Sequence, residues 1–139
     1  MTRTIFVDTS AWIGLFARDD QWHPQARQFW QELPRQVVQL VTSEYVLSET
    51  YTHLRRRRKG LQRAILFHDT IYAAPMIDIL DIDRPLRAKA WTIFTGYQDK
   101  VLSFVDCTSF ALMQTLSIIE AFAFDEHFTR LGFVTVPQR

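Results

Sequence analysis

Cysteine is almost missing: the 139 residues contain one, Cys107. That excludes an internal disulfide and a zinc site built from several thiolates. Glycine and proline are scarce, four and five, and there is no low-complexity tract or repeat of solenoid length, which argues against disordered and repeat architectures. No apolar run approaches the roughly 20 residues that cross a bilayer. The start, Met-Thr-Arg-Thr-Ile-Phe-Val, has no apolar signal core, so a cytoplasmic protein with no membrane partner is predicted. An excess of one charge is also lacking. Sixteen Lys and Arg against fifteen Asp and Glu leave +1, a balance that identifies no partner. The four histidines, His23, His53, His68 and His127, show no paired spacing such as His-X-X-X-His, which speaks against a zinc hydrolase.

Apolar surface is plentiful, at 47% hydrophobic and 14% aromatic composition. A chain of this length is predicted to fold as a single domain over residues 1–139, burying about two thirds of its unfolded surface. Residues 4–7 are β-branched and aromatic and end at Asp8-Thr9-Ser10, a strand turning into a helix that runs through Phe16. Pro24 marks the start of a second helix reaching Pro34. Residues 37–41 form a strand, and Thr42 or Ser43 caps a long helix into the Arg55-Arg56-Arg57-Arg58-Lys59 run. Gly60 interrupts, and an amphipathic helix over 61–73 stops before Pro75. Strands follow at 76–82, 118–124 and 133–136. Between them, helices open at Pro85 and at Asp106, and a short one spans 126–131. The alternation predicts an α/β fold: a central, mostly parallel sheet of four to five strands with helices on both faces.

Four carboxylates stand where apolar segments give way to turns or helix surfaces: Asp8 in Ile-Phe-Val-Asp-Thr-Ser, Glu49 in Val-Leu-Ser-Glu-Thr, Asp106 in Phe-Val-Asp-Cys-Thr-Ser-Phe-Ala, and Asp125 in Ala-Phe-Asp-Glu-His-Phe. In open parallel sheets ligands bind beyond the carboxyl ends of strands, where the strand order reverses. If the strands before Asp8 and Asp125 are neighbours there, both acids enter one crevice, and helices bearing Glu49 and Asp106 supply its other walls. Grouped without cations, such acids would repel unless a hard divalent ion neutralised them, which points to Mg²⁺ or Mn²⁺. Singly, each has a plainer role: Asp8, Asp106 and Asp125 suit helix starts, and Glu49 suits a wetted helix face.

An Asp after the first strand, a Glu on the helix after the second, an Asp opening a late helix and an Asp after the next strand resembles the PIN-domain ribonucleases, in particular VapC-type toxins. The resemblance spans essentially the whole chain and is closest at 6–10, 46–49, 103–111 and 122–133. It implies a metal-dependent endoribonuclease in which Asp8, Glu49, Asp106 and Asp125 hold Mg²⁺ or Mn²⁺, with Thr9 or Ser10 as a supporting hydroxyl. It also implies products with a 5′-phosphate and a 3′-hydroxyl, an RNA substrate and a cognate antitoxin protein, and it leaves a homodimer open. Ala123 stands where many relatives have Thr. The alternatives are a non-catalytic RNA- or protein-binding PIN-like module, or a haloacid-dehalogenase-type phosphatase. The latter lacks its second Asp here, because Ser10 occupies that place.

Other features have narrower readings. Arg55 and Arg56 are candidate RNA contacts, Arg56 in particular because it lies seven residues after Glu49 and so on nearly the same helical face. The run also suits the negative end of a helix. Cys107 reads as a small buried thiol. Glu44 is explained by a helix dipole and Glu120 by its strand, while Asp78, Asp81 and Asp83 read as charges blunting a sheet edge. Trp12, Phe16, Trp22, Phe29 and Trp30 exceed what one small face needs, and some are expected to form a groove for a partner helix.

Overall fold

Ile5, Phe6 and Val7 are wholly inaccessible to solvent, because the strand carrying them, β1 (Arg3–Val7), has a hydrogen-bonded neighbour on each side. The computed structural model describes residues 2–34 and 38–138. From β1 the chain forms α1 (Thr9–Phe16), α2 (His23–Glu32), β2 (Val38–Ser43), α3 (Glu44–Arg55), α4 (Gly60–Ala73) and β3 (Ile77–Leu80). It continues through α5 (Arg84–Gly96), α6 (Phe104–Thr115), β4 (Glu120–Phe122), α7 (His127–Arg130) and β5 (Val134–Val136). All pairings are parallel, in the order β3-β2-β1-β4-β5. The chain builds outward from β1 to β3, then returns to place β4 on the opposite flank of β1. The strand order therefore reverses between β1 and β4. Right-handed crossovers put the helices of the outward run on one face and α5 with α6 on the other, and α5 packs on α6 while α1 packs on α2, α3 and α4. None of the helices among the described residues is long and apolar enough to cross a membrane.

The element boundaries follow local chemistry. Ser43 Oγ accepts from the Val46 N–H at 3.1 Å and caps α3. β2 therefore runs two residues beyond the predicted 41, and Val37, its predicted first residue, lies outside the described residues. Ser103 caps α6, accepting from the Asp106 N–H at 3.0 Å. Asp106 thus sits in the first turn, not at the opening position. β4 is shorter than predicted, because the Ile118 N–H is spent on Met113 O, 2.8 Å away at the end of α6.

Three sequence expectations change. Asp83 does not blunt the edge: it caps α5, accepting from the Leu86 N–H at 3.0 Å, and Asp81 lies past the end of β3, so Asp78 alone is an exposed charge on that edge strand. The aromatics of α1 and α2 are largely consumed in the core. Trp12 packs edge-on against Trp30 and Phe67, Phe16 against Phe67, Phe29 against Phe122, and Trp22 stacks on Phe124 at 5.1 Å. Exposed apolar side chains lie instead on α4, where Leu61, Ile65, Leu66 and Tyr72 are each more than half exposed. Gly60 is needed for space: a Cβ there would lie 2.5 Å from the Arg55 carbonyl oxygen. The left-handed residue of that joint is its neighbour Lys59, at φ 54°.

Candidate active site

Asp8, Glu49, Asp106 and Asp125 line one hollow of about 430 Å³ together with Thr9, Ser10 and Ser103. Asp8 follows β1 immediately, and Asp125 comes three residues after β4 ends, so the reversal of strand order carries both to the same crevice. α3 and α6 are in contact and bring Glu49 and Asp106 from the other side.

Asp8 is held from two directions. Its Oδ2 accepts from the Ser10 hydroxyl at 2.7 Å and from the Ser10 N–H at 3.2 Å. It therefore caps α1 as well as facing the hollow, and the two sequence readings of this residue coexist. Ser10 Oγ in turn accepts from the Phe124 N–H at 2.9 Å, tying the start of α1 to the segment that presents Asp125. Thr9 does not share this role, because its buried hydroxyl has no hydrogen-bond partner among the described residues. Asp125 Oδ1 accepts from the His127 N–H at 2.9 Å, a turn that fixes the carboxylate at the start of α7.

Burial pushes the Asp8 carboxyl up to about 6, with further upward pressure from Asp125 and Glu49 and opposition from the Ser10 bonds. Asp106 is pushed up to about 8, first by burial and then by the charges of Asp8, Asp125 and Glu49. This is the behaviour of carboxylates gathered without a counter-charge. Asp8 Oδ1 is buried and lacks any hydrogen-bond partner, a costly state for an anionic oxygen unless a cation takes it. Four carboxylates around one hollow, one of them with an orphaned anionic oxygen, fit a divalent ion, and Asp106 and Asp125 present ligand atoms within 4.8 Å of each other and of a His127 nitrogen.

Neighbouring residues keep to structural roles. Cys107 is buried, and burial followed by the Asp106 charge pushes its thiol up to about 11, so it is no nucleophile at neutral pH. Glu120 is spent on Arg3, with bonds of 2.7 and 2.8 Å. Glu44 anchors the Ile82 N–H at 3.0 Å.

Two residues near the acids escaped the sequence. α3 ends at Arg55, so helical periodicity cannot be carried on to Arg56. It is Arg57 that lines the hollow, bridging to Asp20 at 3.2 Å and Asp19 at 3.8 Å. Arg55 borders a separate apolar hollow with Tyr51, Leu61 and Ile65, and Arg56 borders neither. His127 is not on the wall of the acid hollow, yet its Nδ1 lies 3.2 Å from Asp125 Oδ1 and 3.7 Å from Asp106 Oδ2. A search of the sequence for paired histidines passes over it, since its companions are carboxylates. The Asp-X-His spacing at a helix start is the signal that would have found it.

A parallel sheet with a 3-2-1-4-5 order and four acids at its reversal point is an open α/β fold with an acidic crevice, and the PIN domain family model matches residues 5–134. The chain belongs to the PIN domain family. It is 37% identical over 132 residues to a protein named 23S rRNA-specific endonuclease VapC20 from Mycobacterium tuberculosis, across 95% of this chain and 97% of that one. The crystal structure of M. tuberculosis VapC20, described as a sarcin-ricin loop cleaving toxin, superposes with a TM-score of 0.86 at 35% identity, covering 94% of this chain and 96% of that one. VapBC2 from Rickettsia felis, solved with a promoter DNA fragment, shares the fold with a TM-score of 0.69 at 12% identity over 95% of this chain and 96% of that chain. Nothing in these comparisons favours a haloacid-dehalogenase phosphatase or a non-catalytic module.

Proposed function

We propose that this chain is a metal-dependent endoribonuclease of the VapC type, the toxin of a toxin–antitoxin pair, acting in the cytoplasm as one domain over residues 1–139. The observation that carries this reading is the convergence of Asp8, Glu49, Asp106 and Asp125, from four distant segments, on one hollow that leaves a buried carboxylate oxygen unpartnered. Mg²⁺ or Mn²⁺ held by these acids would polarise a phosphate oxygen and lower the pKa of a nearby water. The protein's part is to orient and charge the site. Ser10 fixes Asp8, Ser103 fixes the turn bearing Asp106, and the helix start at α7 fixes Asp125. Arg57 places a guanidinium at the rim, where an RNA phosphate would arrive. A second hollow of about 570 Å³, with Tyr45, Ser48, Thr52 and Arg87 in its walls, shares Glu49 and His53 with the first. The two hollows thus meet at Glu49 and His53.

The similarity to VapC20 makes large-subunit ribosomal RNA the first substrate to try. Purified protein should cut it with Mg²⁺ or Mn²⁺ and stop with a chelator. Asp8→Asn should abolish cutting while circular dichroism stays native, because the amide keeps the shape and loses the charge. Cutting that survives chelation, or a fully active Asp8→Asn protein, would overturn the assignment.

An antitoxin helix finds its best seat between α2 and α4. There Phe16, Trp30 and Leu66 line a hollow beside Arg18 and Arg27, and Leu66 is more than half exposed. Apolar anchors with flanking bases suit an amphipathic helix carrying acidic residues. A homodimer, if formed, has apolar surface available on α5, where Trp91 and Phe94 are exposed and stack at 5.7 Å. Co-expression with the adjacent reading frame should give a stable complex and relieve growth arrest. A chain that is harmless alone and purifies without a partner would refute the toxin role.

A further inference from the structure

We propose that His127 is a nitrogen ligand of the cation site, beside Asp106 and Asp125, and that it tunes the site toward a first-row transition ion and away from Mg²⁺. This rests on the four acids holding a cation, as argued above, and adds a donor of a different kind. Asp106, Asp125 and His127 each offer one ligand atom, and these atoms all lie within 4.8 Å of one another. Ligands at right angles around an octahedral ion, each about 2.1 Å from it, stand about 3.0 Å apart. The 3.2 Å and 3.7 Å separations of Nδ1 from the two carboxylates are close to that spacing.

Two further observations point to an ion at this place. Nδ1 is buried and makes no hydrogen bond despite its two acidic neighbours, and Asp8 Oδ1, in the hollow that Asp106 and Asp125 also line, is buried and equally unpartnered. A ring nitrogen acting only as a donor to a carboxylate would be expected to make an aligned bond. The local backbone also sets His127 up for the task. Its own N–H holds Asp125 Oδ1 at 2.9 Å, so ring and carboxylate are fixed by one turn and cannot drift apart independently. Imidazole binds Fe²⁺, Co²⁺, Zn²⁺ and, more weakly, Mn²⁺, whereas Mg²⁺ keeps to oxygen ligands. A nitrogen in this set therefore changes which ions the site retains. The competing role is a hydrogen-bonding or ion-pairing clip between Asp106 and Asp125, with no bond to the metal.

Electron paramagnetic resonance of the purified chain with Mn²⁺ separates the two without recourse to activity. Free and bound Mn²⁺ are counted first, and electron spin-echo modulation of the bound ion is recorded next. A ligand role gives a directly coordinated ¹⁴N coupling that disappears in His127→Ala, and a loss of Mn²⁺ affinity of roughly tenfold or more, the lower end of what even outer-shell partners contribute. His127→Asp, which keeps a donor of the Mg²⁺-preferring kind, should bind Mn²⁺ without the nitrogen signal and shift its preference toward Mg²⁺. Bound Mn²⁺ with no ¹⁴N coupling in the native chain would overturn the ligand role and leave the four-acid site standing. Failure to bind Mn²⁺ at all would overturn both.

Discussion

The Ser10 hydroxyl donates to Asp8 Oδ2 across 2.7 Å, and Ser10 Oγ itself accepts the Phe124 N–H. One small side chain thus sets both the orientation of the first acid and its distance from the strand that leads to the last. Ser10→Ala should lower cation affinity by about 10- to 100-fold, as loss of an outer partner does, and destabilise the fold by about 1.5 to 3 kcal/mol. Calorimetric titration with Mn²⁺ and urea unfolding of the same variant check the two effects. Affinity unchanged from wild type would show that Asp8 needs no such support.

Chelated protein should be less stable at pH 8 than at pH 5. Asp8 and Asp106 have folded-state values raised from 3.8 to about 6 and about 8, so the native state binds more protons than the unfolded chain throughout that window. Unfolding free energy must then fall as pH rises, with the full contribution present below the unfolded value. Asp19, Asp99 and Glu120 are shifted the other way, so their effect is confined to pH below the ordinary carboxylate range. Thermal melts in EDTA at the two pH values test this. A saturating divalent ion should reverse the trend at pH 8, adding about 2.7 kcal/mol at 100 times its Kd, or about 8 °C for a domain of this size.

Arg57→Gln should weaken RNA binding and flatten its salt dependence by a slope of about 0.7 for a lost single-strand phosphate contact. The double variant Arg55→Gln with Arg56→Gln should leave the slope near that of wild type, since those side chains do not line the acid hollow. Salt titrations of both proteins decide between the two sets of arginines. A flattened slope in the double variant would return the phosphate contacts to Arg55 and Arg56.

Gly60→Ala should cost about 3 kcal/mol, the upper end for overpacking, because the added methyl meets the carbonyl oxygens of Leu54 and Arg55 and rigid backbone cannot step aside. Lys59→Gly, which relieves a left-handed residue at φ 54°, should be neutral or stabilising. The denaturant midpoint of Gly60→Ala should fall while that of Lys59→Gly should not, and equal falls would rule out this account of the joint.

The sheet was readable because β1 and β2 are short β-branched or aromatic runs closed by the caps Asp8 and Ser43, and Asp8 and Asp125 were readable because each follows a strand. What stayed hidden depended on where helices stop. Nothing in five consecutive basic residues says that α3 ends at Arg55, so periodicity pointed at Arg56 when the turn delivers Arg57. The aromatics were legible in part, since Phe16 and Trp30 do line a hollow beside α4. A count of rings on α1 and α2 does not reveal that Phe67, Phe122 and Phe124 arrive from elsewhere to cover them. His127 was missed because its partners come from two segments, and only folding puts Asp106 beside it.

The bond between Ser10 and Phe124 joins positions 114 residues apart, with β4 slotting beside β1 only after every other helix-bearing segment but α7 has been made. During synthesis the first acid therefore emerges long before its last companion, and a growing polypeptide that has not yet reached Asp125 has no complete acid cluster. Contacts this distant in sequence are also slow to close. The two ends of the acid cluster are thus joined late, and any chain interrupted before β4 is in place carries the first acid without the last.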